Sequence, residues 1–376
     1  MRRVSGRGSA DLAIGLMSGT SADGVDGAIV RVSGGSAHPT VELLAHRSVP
    51  FAPGLRARIL AAAGDATLTA AALARLHRDL GDAYADVAVH LRSTAPGDVA
   101  VIGVHGQTVA HLPLERVTLQ LGDAARVAAR SGIATVADFR SADVAAGGEG
   151  APLTPFADRI LFGSRAPCAV LNLGGIANLT LLPDDDPDHV VALDTGPGNM
   201  VIDALARLGG ADHDSGGAGA LRGRVHEDAL ATALAHPFFA RPAPKSAGRE
   251  EFGEPFTRAL VRHVDATLDD ALATATELTA RTAADALAAN TPRGLAWSEI
   301  LVGGGGARNA ALMDALGRAA APIPVRATDD AGVPAGAREA MAFALLALFR
   351  VRGLPNTLPR CTGATRAVCA GAVHRP

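Results

Sequence analysis

Two stretches of the sequence decide the fold: Leu12–Val32, LAIGLMSGTSADGVDGAIVRV, and Ala169–Leu182, AVLNLGGIANLTLL. Each reads as a short apolar strand, a turn rich in glycine and a second apolar strand. The small side chains of such a turn allow backbone N–H groups to approach a ligand. Two hairpins of one kind predict a duplicated architecture, in which each half supplies a phosphate-binding loop and a nucleotide is gripped between two lobes.

The composition is that of a soluble globular chain with room for two cores. Of its 376 residues, 48% are hydrophobic and 19% are charged, as in ordinary folded domains. The net charge of −3 gives no sign of a nucleic-acid or anionic-membrane surface. The longest apolar run, Ala340–Phe349, is far shorter than the roughly 20 residues that span a bilayer. We therefore expect no nucleic-acid partner and no membrane segment.

The cysteines indicate the cellular compartment. Cys168, Cys361 and Cys369 leave an odd number and lack the spacing of a metal site. This pattern predicts thiols in a reducing cytoplasm rather than a disulfide framework.

Strand and helix patterns alternate along the chain, which favours the α/β fold class. We predict strands at 11–17, 25–32, 41–49, 99–104, 169–173, 177–182, 190–194, 299–302 and 323–327. We predict helices at 54–63, 68–93, 122–130, 199–208, 219–235, 253–287, 308–319 and 336–352. The segment 138–155 shows little regular pattern and reads as a crossing between domains that also lines a site.

The turn of the first hairpin, Gly19–Asp26, reads GTSADGVD. Its backbone N–H groups and the hydroxyls of Thr20 and Ser21 could cradle phosphate oxygens, and a carboxylate there could hold Mg²⁺ through water. The alternative is an ordinary hairpin turn. Asp23 and Asp26 argue against it, since they add charge that a turn does not need.

A further glycine-rich turn, Gly303–Asn309 with the sequence GGGGARN, follows a predicted strand and opens a predicted helix. Its glycines leave room for a flat or anionic group, and a helix N-terminus stands behind them. A glycine run of purely structural origin is the alternative interpretation.

Two carboxylates lie where predicted elements begin or end. Asp194 starts the motif DTGPGN, Asp194–Asn199, at the end of a predicted strand. A carboxylate fixed there can accept a proton from a nucleophile, so Asp194 is the best candidate for a general base. It could instead cap the following helix. Glu339 begins an apolar helix, where it either caps the helix or faces a substrate.

Several basic residues stand in or beside irregular segments. His105 and His111 of HGQTVAH lack a third ligand nearby, so a polar lining is favoured over a metal site. Arg140, Lys245 and Arg249 could hold an anionic group such as a carboxylate. The alternative for these three is that they are exposed and only solvated.

Together these motifs resemble the anhydro-N-acetylmuramic acid kinases, bacterial enzymes of the sugar-kinase/actin superfamily. The matching strings run in the expected order from residue 15 to residue 364. They are GLMSGTSADGVD, HGQT followed by LQLGD, ADFR with AAGGEGAPLTP, NLGGIAN, DTGPGN, PKSAGREEF, GGGGARN, EAMAFA and TGA. Each string alone is weakly specific, whereas the ordered set covers nearly the whole chain.

The resemblance implies a fold and a reaction. The expected fold is α/β, with two actin-like (ribonuclease H-like) lobes, 1–138 plus 355–376 and 139–354, and a nucleotide cleft between them. The expected reaction, part of murein recycling, converts 1,6-anhydro-N-acetylmuramic acid, ATP and water into N-acetylmuramic acid 6-phosphate and ADP, with Mg²⁺ as cofactor. The expected setting is the cytoplasm, and family members are often dimers.

The resemblance also implies roles for single residues. Asp194 would deprotonate the water that attacks the anomeric carbon, and the γ-phosphoryl group would replace the acid that ordinary glycoside hydrolysis uses at the leaving oxygen. The expected nucleotide-binding residues are Gly19, Thr20, Ser21, Asp23, Gly24, Asp26, Gly174, Gly175, Gly303, Gly304, Gly305 and Asn309, with Asp23 holding Mg²⁺ through water. The expected sugar-binding residues are His105, Gln107, Arg140, Gly196, Asn199 and Glu339.

One residue departs from the family pattern. Glu149 stands in GGEGAPL, where the family usually reads GGQGAPL, and its carboxylate could repel that of the substrate or pair with Arg140. Two alternative functions stay open: an actin-like kinase for another sugar or acid, and a non-catalytic protein that closes on a nucleotide. Asp194 argues against the second, since clamping alone needs no base.

Overall fold

The computed structural model describes residues 10–64, 66–243, 245–263 and 267–376. Its contacts divide the chain into two compact units: Met1–Leu161 with Ala337–Pro376, and Phe162–Gly336. The sequence interpretation also has a discontinuous first unit, but it places the boundaries after residues 138 and 354. The observed boundaries assign 139–161 and 337–354 to the first unit instead.

The strands, in chain order, are β1 (Asp11–Met17), β2 (Gly24–Ser33), β3 (Thr40–Pro50), β4 (Val99–Val104), β5 (Gln107–Leu112), β6 (Val117–Leu121), β7 (Thr135–Ala137), β8 (Cys168–Leu173), β9 (Ile176–Leu182), β10 (Val191–Pro197), β11 (Glu299–Gly303), β12 (Val325–Ala327) and β13 (Ala372–His374). The α-helices are α1 (Pro53–Ala63), α2 (Ala70–Thr94), α3 (Ala124–Ser131), α4 (Ser141–Ala145), α5 (Thr154–Phe162), α6 (Asn199–Leu208), α7 (Ala218–Arg222), α8 (Glu227–Leu234), α9 (Arg249–Phe252), α10 (Glu254–His263), α11 (Leu268–Ala289), α12 (Ala310–Ala319), α13 (Arg338–Val351) and α14 (Pro359–Thr362).

The main sheets of the two units share one topology. In the first unit the strand order is β13-β7-β4-β1-β2-β3. There β1, β2 and β3 form an antiparallel meander, while β4 and β7 continue the sheet in parallel on the other side of β1. In the second unit the order is β10-β9-β8-β11-β12, with β8, β9 and β10 antiparallel and β11 and β12 parallel to β8. The α/β class and the predicted duplicated architecture are therefore confirmed.

Helix α13 explains why the first unit includes a late segment of the chain. Its apolar run Ala340–Phe349 is buried, and the helix packs on β1 and β4. A Cβ added at Gly15 of β1 would lie 1.8 Å from the carbonyl oxygen of Ala340, and one at Gly103 of β4 would lie 2.0 Å from that of Phe343. Only glycine at these two positions lets the helix backbone approach the sheet so closely.

Each unit has its own apolar core. In the first unit, α2 covers the sheet with a face that includes Leu76, Leu80, Val87 and Leu91, which is the face that helical spacing predicts. In the second unit, the core surrounds α11, a helix of 22 residues that is buried along most of its length.

The predicted elements differ from the observed ones mainly where elements are short or broken. The predicted helix 253–287 is two helices, α10 and α11, and residues 264–266 lie outside the described residues. The predicted helix 219–235 is also two, α7 and α8, because the chain leaves the helical conformation at Gly223. The segment 138–155 contains α4 and the start of α5, and β5, β6, β7 and β13 have no counterpart in the prediction. Elements of so few residues show too little periodicity to be recognised.

Candidate functional site

The turn between β1 and β2 places its polar side chains in solvent. Thr20, Ser21 and Asp23 are exposed, and the turn is closed by a hydrogen bond from the N–H of Ala22 to the carbonyl of Gly19, 3.1 Å long. Asp23 pairs with Arg56 at 3.3 Å, and its side chain remains 73% exposed. The hydroxyls and the carboxylate that the sequence assigns to phosphate and magnesium are therefore accessible on one loop.

Asp26 differs from the rest of its motif, because it lies within β2 rather than in the turn. The hydroxyl of Ser48 on the neighbouring strand β3 donates to its Oδ1, and Nε2 of His46 lies 3.8 Å from the same atom. Its carboxylate is thus engaged by β3.

A cluster of polar side chains follows β4 in the first unit. His105 and Gln107 flank Gly106, whose φ of +82° turns the chain from β4 into β5. Nη2 of Arg140 lies 2.8 Å from Nε2 of His105. Nε2 of Gln107 donates to the carbonyl of Gly19 at 3.1 Å. The structure thus joins three predicted sugar-binding residues to the loop predicted to bind phosphate.

The same three side chains carry polar atoms with unused hydrogen-bonding capacity. Within the described residues, Nδ1 of His105, Oε1 of Gln107 and Nε of Arg140 are buried and have no partner of hydrogen-bonding geometry. Buried polar atoms are nearly always satisfied in folded proteins. Three such atoms on adjoining side chains mark this cluster as a candidate site for a polar ligand.

Burial also sets the charges of this cluster. It lowers the pKa of His105 well below 6.5, and the charge of Arg140 adds to that effect. It lowers the pKa of Arg140 to about 10, against the opposing charges of Glu339 and Asp143, so the guanidinium stays charged at neutral pH. It raises the pKa of Glu339, whose half-buried carboxylate also senses the charges of Arg338, Asp26, Asp158 and Arg140. Arg140 is therefore a half-buried cation, and its partner His105 is neutral.

Glu339 lies in the first turn of α13 without capping it, because no side-chain cap closes this helix. The helix cap that the sequence offered as one alternative is therefore absent.

His111 is half-buried on β5 and hydrogen-bonded to Thr118 at 3.2 Å. In the part of the chain that is described, no group of three or more His, Cys, Asp or Glu side chains could hold a metal ion.

In the second unit, the two remaining glycine turns contact each other. A Cβ at Gly304, where φ is +81°, would lie 2.7 Å from the carbonyl oxygen of Leu173, and a Cβ at Gly306 would lie 2.6 Å from Cβ of Leu173. Nδ2 of Asn199 donates to that same carbonyl at 2.9 Å. The turn after β8 and the turn after β11 thus meet at Leu173, with Asn199 beside them.

Several predicted ligand residues of the second unit have structural partners. The carbonyls of Gly174 and Gly175 accept hydrogen bonds from the N–H groups of Gly198, Asn199 and Met200 at the start of α6. Oδ1 of Asn309 accepts from the N–H of Leu312 and caps α12. These contacts fix the turns, and the side chain of Asn309, a predicted nucleotide-binding residue, caps α12.

Asp194 lies in β10, at a bulge in its pairing with β9. Its Oδ2 accepts from the N–H of Ala247 at 2.8 Å, and its own N–H donates to the carbonyl of Lys245 at 3.0 Å. Helix α6, which follows, has Gly198 in the N-cap position and no side-chain cap, so Asp194 does not cap it. The carboxylate is half-buried and held by the loop that follows α8.

The two cations of that loop have different surroundings. The ammonium of Lys245 donates to the carbonyls of Phe238 and Phe239 at 3.2 and 3.1 Å and lies 4.6 Å from the ring centre of Phe238. Arg249 is exposed at the start of α9. Gly196, the remaining predicted sugar contact, has φ of +151° and would place a Cβ 2.7 Å from Cε1 of Phe239.

Sequence reasoning overlooked the residues that support these loops. The hydroxyls of Ser18 and Tyr84 are hydrogen-bonded directly before the first glycine turn, and both side chains are buried. Tyr84 is the only tyrosine in the chain, and this is the one feature of the sequence that could have drawn attention to it.

None of the described helices combines the length and the apolar composition that crossing a membrane requires.

Comparison with known proteins identifies the family. The anhydro-N-acetylmuramic acid kinase family profile matches residues 11–376. The anhydro-N-acetylmuramic acid kinase of Gloeobacter violaceus is 45% identical, over 96% of this chain and 98% of that protein. Its counterpart from Bordetella avium is 46% identical, over 96% of this chain and 95% of that protein. The solved structure of xylulose kinase from Rhodospirillum rubrum, 14% identical, covers 89% of this chain and 92% of that one with a TM-score of 0.43, a likeness too distant to add to the assignment. This chain belongs to the anhydro-N-acetylmuramic acid kinase family.

Proposed function

We propose that this chain converts 1,6-anhydro-N-acetylmuramic acid, ATP and water into N-acetylmuramic acid 6-phosphate and ADP. Water forms a bond to C1 of the sugar as the bond from C1 to O6 breaks. The electron pair left on O6 forms the bond to the γ-phosphorus, and ADP departs. Family membership supports this reaction, and the observation that carries it within the structure is the cluster of unsatisfied polar atoms on His105, Gln107 and Arg140.

These three side chains offer complementary groups to a sugar. Because Arg140 donates to Nε2 of His105, the ring proton lies on Nδ1, which makes Nδ1 a donor. Oε1 of Gln107 is an acceptor, and Nε of Arg140 is a charged donor. We assign the donors to sugar oxygens or to the lactyl carboxylate and the acceptor to a hydroxyl or the acetamido N–H.

Asp194 is the proposed general base for the attacking water. One of its oxygen atoms is anchored by the N–H of Ala247, and anchoring orients a carboxylate for proton transfer. A single base is sufficient, because the phosphoryl group receives the leaving oxygen that an acid would otherwise protonate.

The glycine turns are the proposed phosphate contacts. Thr20 and Ser21 present exposed hydroxyls, and Gly303–Gly306 present backbone next to Leu173. Magnesium fits the exposed carboxylate of Asp23, since Mg²⁺ in kinases is usually held by one or two carboxylates together with phosphates. When bound, it would neutralise phosphate charge. We place the reaction in the cytoplasm, because the three cysteines form no disulfide.

Labelled water tests the proposed bond changes. The reaction is run in H₂¹⁸O with Mg-ATP and the anhydro sugar, and sampled before the anomeric hydroxyl exchanges with solvent. One ¹⁸O in the sugar and none in the phosphoryl group is the expected result. Label in the phosphoryl group would mean that water attacks phosphorus, and unlabelled product would mean that no water enters; either result would refute the proposal.

A further inference from the structure

Asp143 is a completely buried carboxylate in α4 of the first unit, with 0% of its surface exposed. Its Oδ2 accepts from the N–H of Gly150 at 2.9 Å. Its Oδ1 accepts from the hydroxyl of Thr362 at 2.8 Å. A buried carboxylate is tolerated only when its oxygen atoms are hydrogen-bonded, so these two partners account for its presence. We call this pair of contacts the Asp143–Thr362 brace.

Further contacts tie the same two segments together. The N–H of Glu149 donates to the carbonyl of Thr362 at 2.8 Å. Both the N–H and the hydroxyl of Thr365 donate to the carbonyl of Ala146 at 2.9 Å. A small apolar cluster that includes Ala146 and Ala364 fills the space between the segments. The TGA motif, 219 positions beyond Asp143, is therefore a support for the segment that follows Arg140.

The brace leads directly to Arg140. Gly150, whose N–H is held by Asp143, uses its carbonyl to accept from Nη1 of Arg140 at 2.7 Å. Gly150 has φ of +73°, and a Cβ there would lie 2.8 Å from Cγ2 of Val144. The backbone of this one residue thus connects the brace to the guanidinium of Arg140, whose Nε has no hydrogen-bond partner among the described residues.

We propose that Asp143 and Thr362 are positioning residues that fix the carbonyl of Gly150 and thereby aim Arg140 at an anionic group of the sugar. The inference rests on the proposed function, since it takes Arg140 as a sugar-binding residue. We take Asp143 to act through geometry rather than through its charge, because its hydrogen bonds go to Gly150 and Thr362, whereas its interaction with Arg140 is coulombic.

Two substitutions separate geometry from charge. An asparagine at 143 can accept from Gly150 through Oδ1 and donate to the hydroxyl of Thr362 through its NH₂ group, because a hydroxyl both donates and accepts. Asp143→Asn therefore removes the charge and retains the brace, whereas Asp143→Ala removes both. Thr362→Val removes one hydrogen bond with little change of shape. Thr135→Val is the matched control, because Thr135 is also buried and donates only to the nearby carbonyl of Ile133.

Steady-state kinetics with the anhydro sugar and ATP tests the brace in the full chain. We expect Thr362→Val to raise the KM for the sugar by about tenfold, as for a lost hydrogen bond to a charged group, with the KM for ATP unchanged. Thr135→Val changes neither constant. We expect Asp143→Ala to raise the KM for the sugar more than Thr362→Val does. The KM for the sugar of Asp143→Asn should stay close to the wild-type value. In an Arg140→Met background, Thr362→Val has no further effect, because the group that it positions is gone.

Three results would overturn the brace: a sugar KM for Thr362→Val equal to that of Thr135→Val, full additivity with Arg140→Met, or equal impairment in Asp143→Asn and Asp143→Ala. Thermal melting of each variant identifies a loss of fold, which would lower the apparent kcat without a selective rise in the KM for the sugar. A wild-type protein without turnover of the anhydro sugar would overturn the proposed function itself. If the wild type turns over the anhydro sugar and Thr362→Val has an unchanged KM for the sugar, only the brace is refuted.

Discussion

Nη2 of Arg140 lies 2.8 Å from Nε2 of His105 in the first unit. A guanidinium group only donates, so Nε2 is the acceptor and the imidazole is neutral. Burial lowers the pKa of His105 well below 6.5, and the positive charge of Arg140 acts in the same direction. The contact requires a neutral imidazole, and both the burial of His105 and the charge of Arg140 keep the imidazole neutral.

His105 makes the fold sensitive to acid. In the unfolded chain the ring binds a proton near the ordinary histidine pKa of 6.5, while the folded state binds it only at lower pH. Below that pH the unfolded state therefore binds more protons than the folded state. The contribution of His105 to the free energy of unfolding is fully present above about pH 6.5 and decreases as the pH falls below 6.5. Urea midpoints at pH 7.5 and pH 5 measure this loss, which should be smaller in His105→Gln. The exposed His38 supplies the control, His38→Gln, and equal losses in all three proteins would contradict the assignment.

Gly304 should be much more sensitive to substitution than the adjacent Gly305. Its φ of +81° and the 2.7 Å approach of a Cβ to the carbonyl of Leu173 mean that Gly304→Ala strains the backbone, at a cost of roughly 1–3 kcal/mol. Gly305→Ala is the neighbouring control, because its Cβ would meet nothing closer than Nδ2 of Asn199 at 3.9 Å. Denaturant unfolding measures the difference, and equal stability of the two variants would show that the turn adapts freely.

Asp194→Asn should lose about 10² or more in kcat while its affinity for ATP stays unchanged. The amide oxygen can still accept from Ala247, but the amide is too weak a base to take a proton from water. ADP release measures kcat, and a nucleotide titration measures binding. Glu254→Gln is the control, since Glu254 is 72% exposed in the same unit. Turnover near that of the wild type would remove Asp194 from the role of base.

Glu149→Gln should leave the sugar KM equal or lower it. The backbone N–H of Glu149 keeps its hydrogen bond to the carbonyl of Thr362, so the support of this segment is unaffected. Loss of the carboxylate removes a negative charge that would oppose an anionic sugar. Glu115→Gln, at an exposed carboxylate of the same unit, is the comparison. A large loss of activity in Glu149→Gln alone would mean that this carboxylate has a function of its own.

The hairpins that open each unit could be predicted, because short apolar runs on both sides of a glycine turn are a local signal. The partner of a strand is not a local property. Nothing near Gly15 or Gly103 indicates that α13 packs on them, so the sequence interpretation assigned this helix to the wrong side of its boundary. The break before α11 has a local signal in the sequence, because Thr267 and Asp270 have the spacing of a capping box, which they form in the structure.

The candidate site was predictable as a set of residues and not as an arrangement. The sequence indicates His105 as a polar lining residue and Arg140 as a cation for an anionic group, and the resemblance adds Gln107. Their contacts and unpartnered polar atoms depend instead on where β4 ends relative to α4. Asp143 and Thr362 were overlooked because a buried carboxylate in a helix of five residues has no sequence pattern. Asn309 carried a pattern, but in the structure its side chain caps a helix.

ADP release by the purified chain with Mg-ATP tests the central claim most directly. The two acceptors compared are 1,6-anhydro-N-acetylmuramic acid and N-acetylmuramic acid, which differ in the bridge from C1 to O6. Turnover with the anhydro sugar and none with the open sugar is the result that coupled bridge opening and phosphorylation predicts. Equal turnover with both sugars, or turnover with neither, would contradict it.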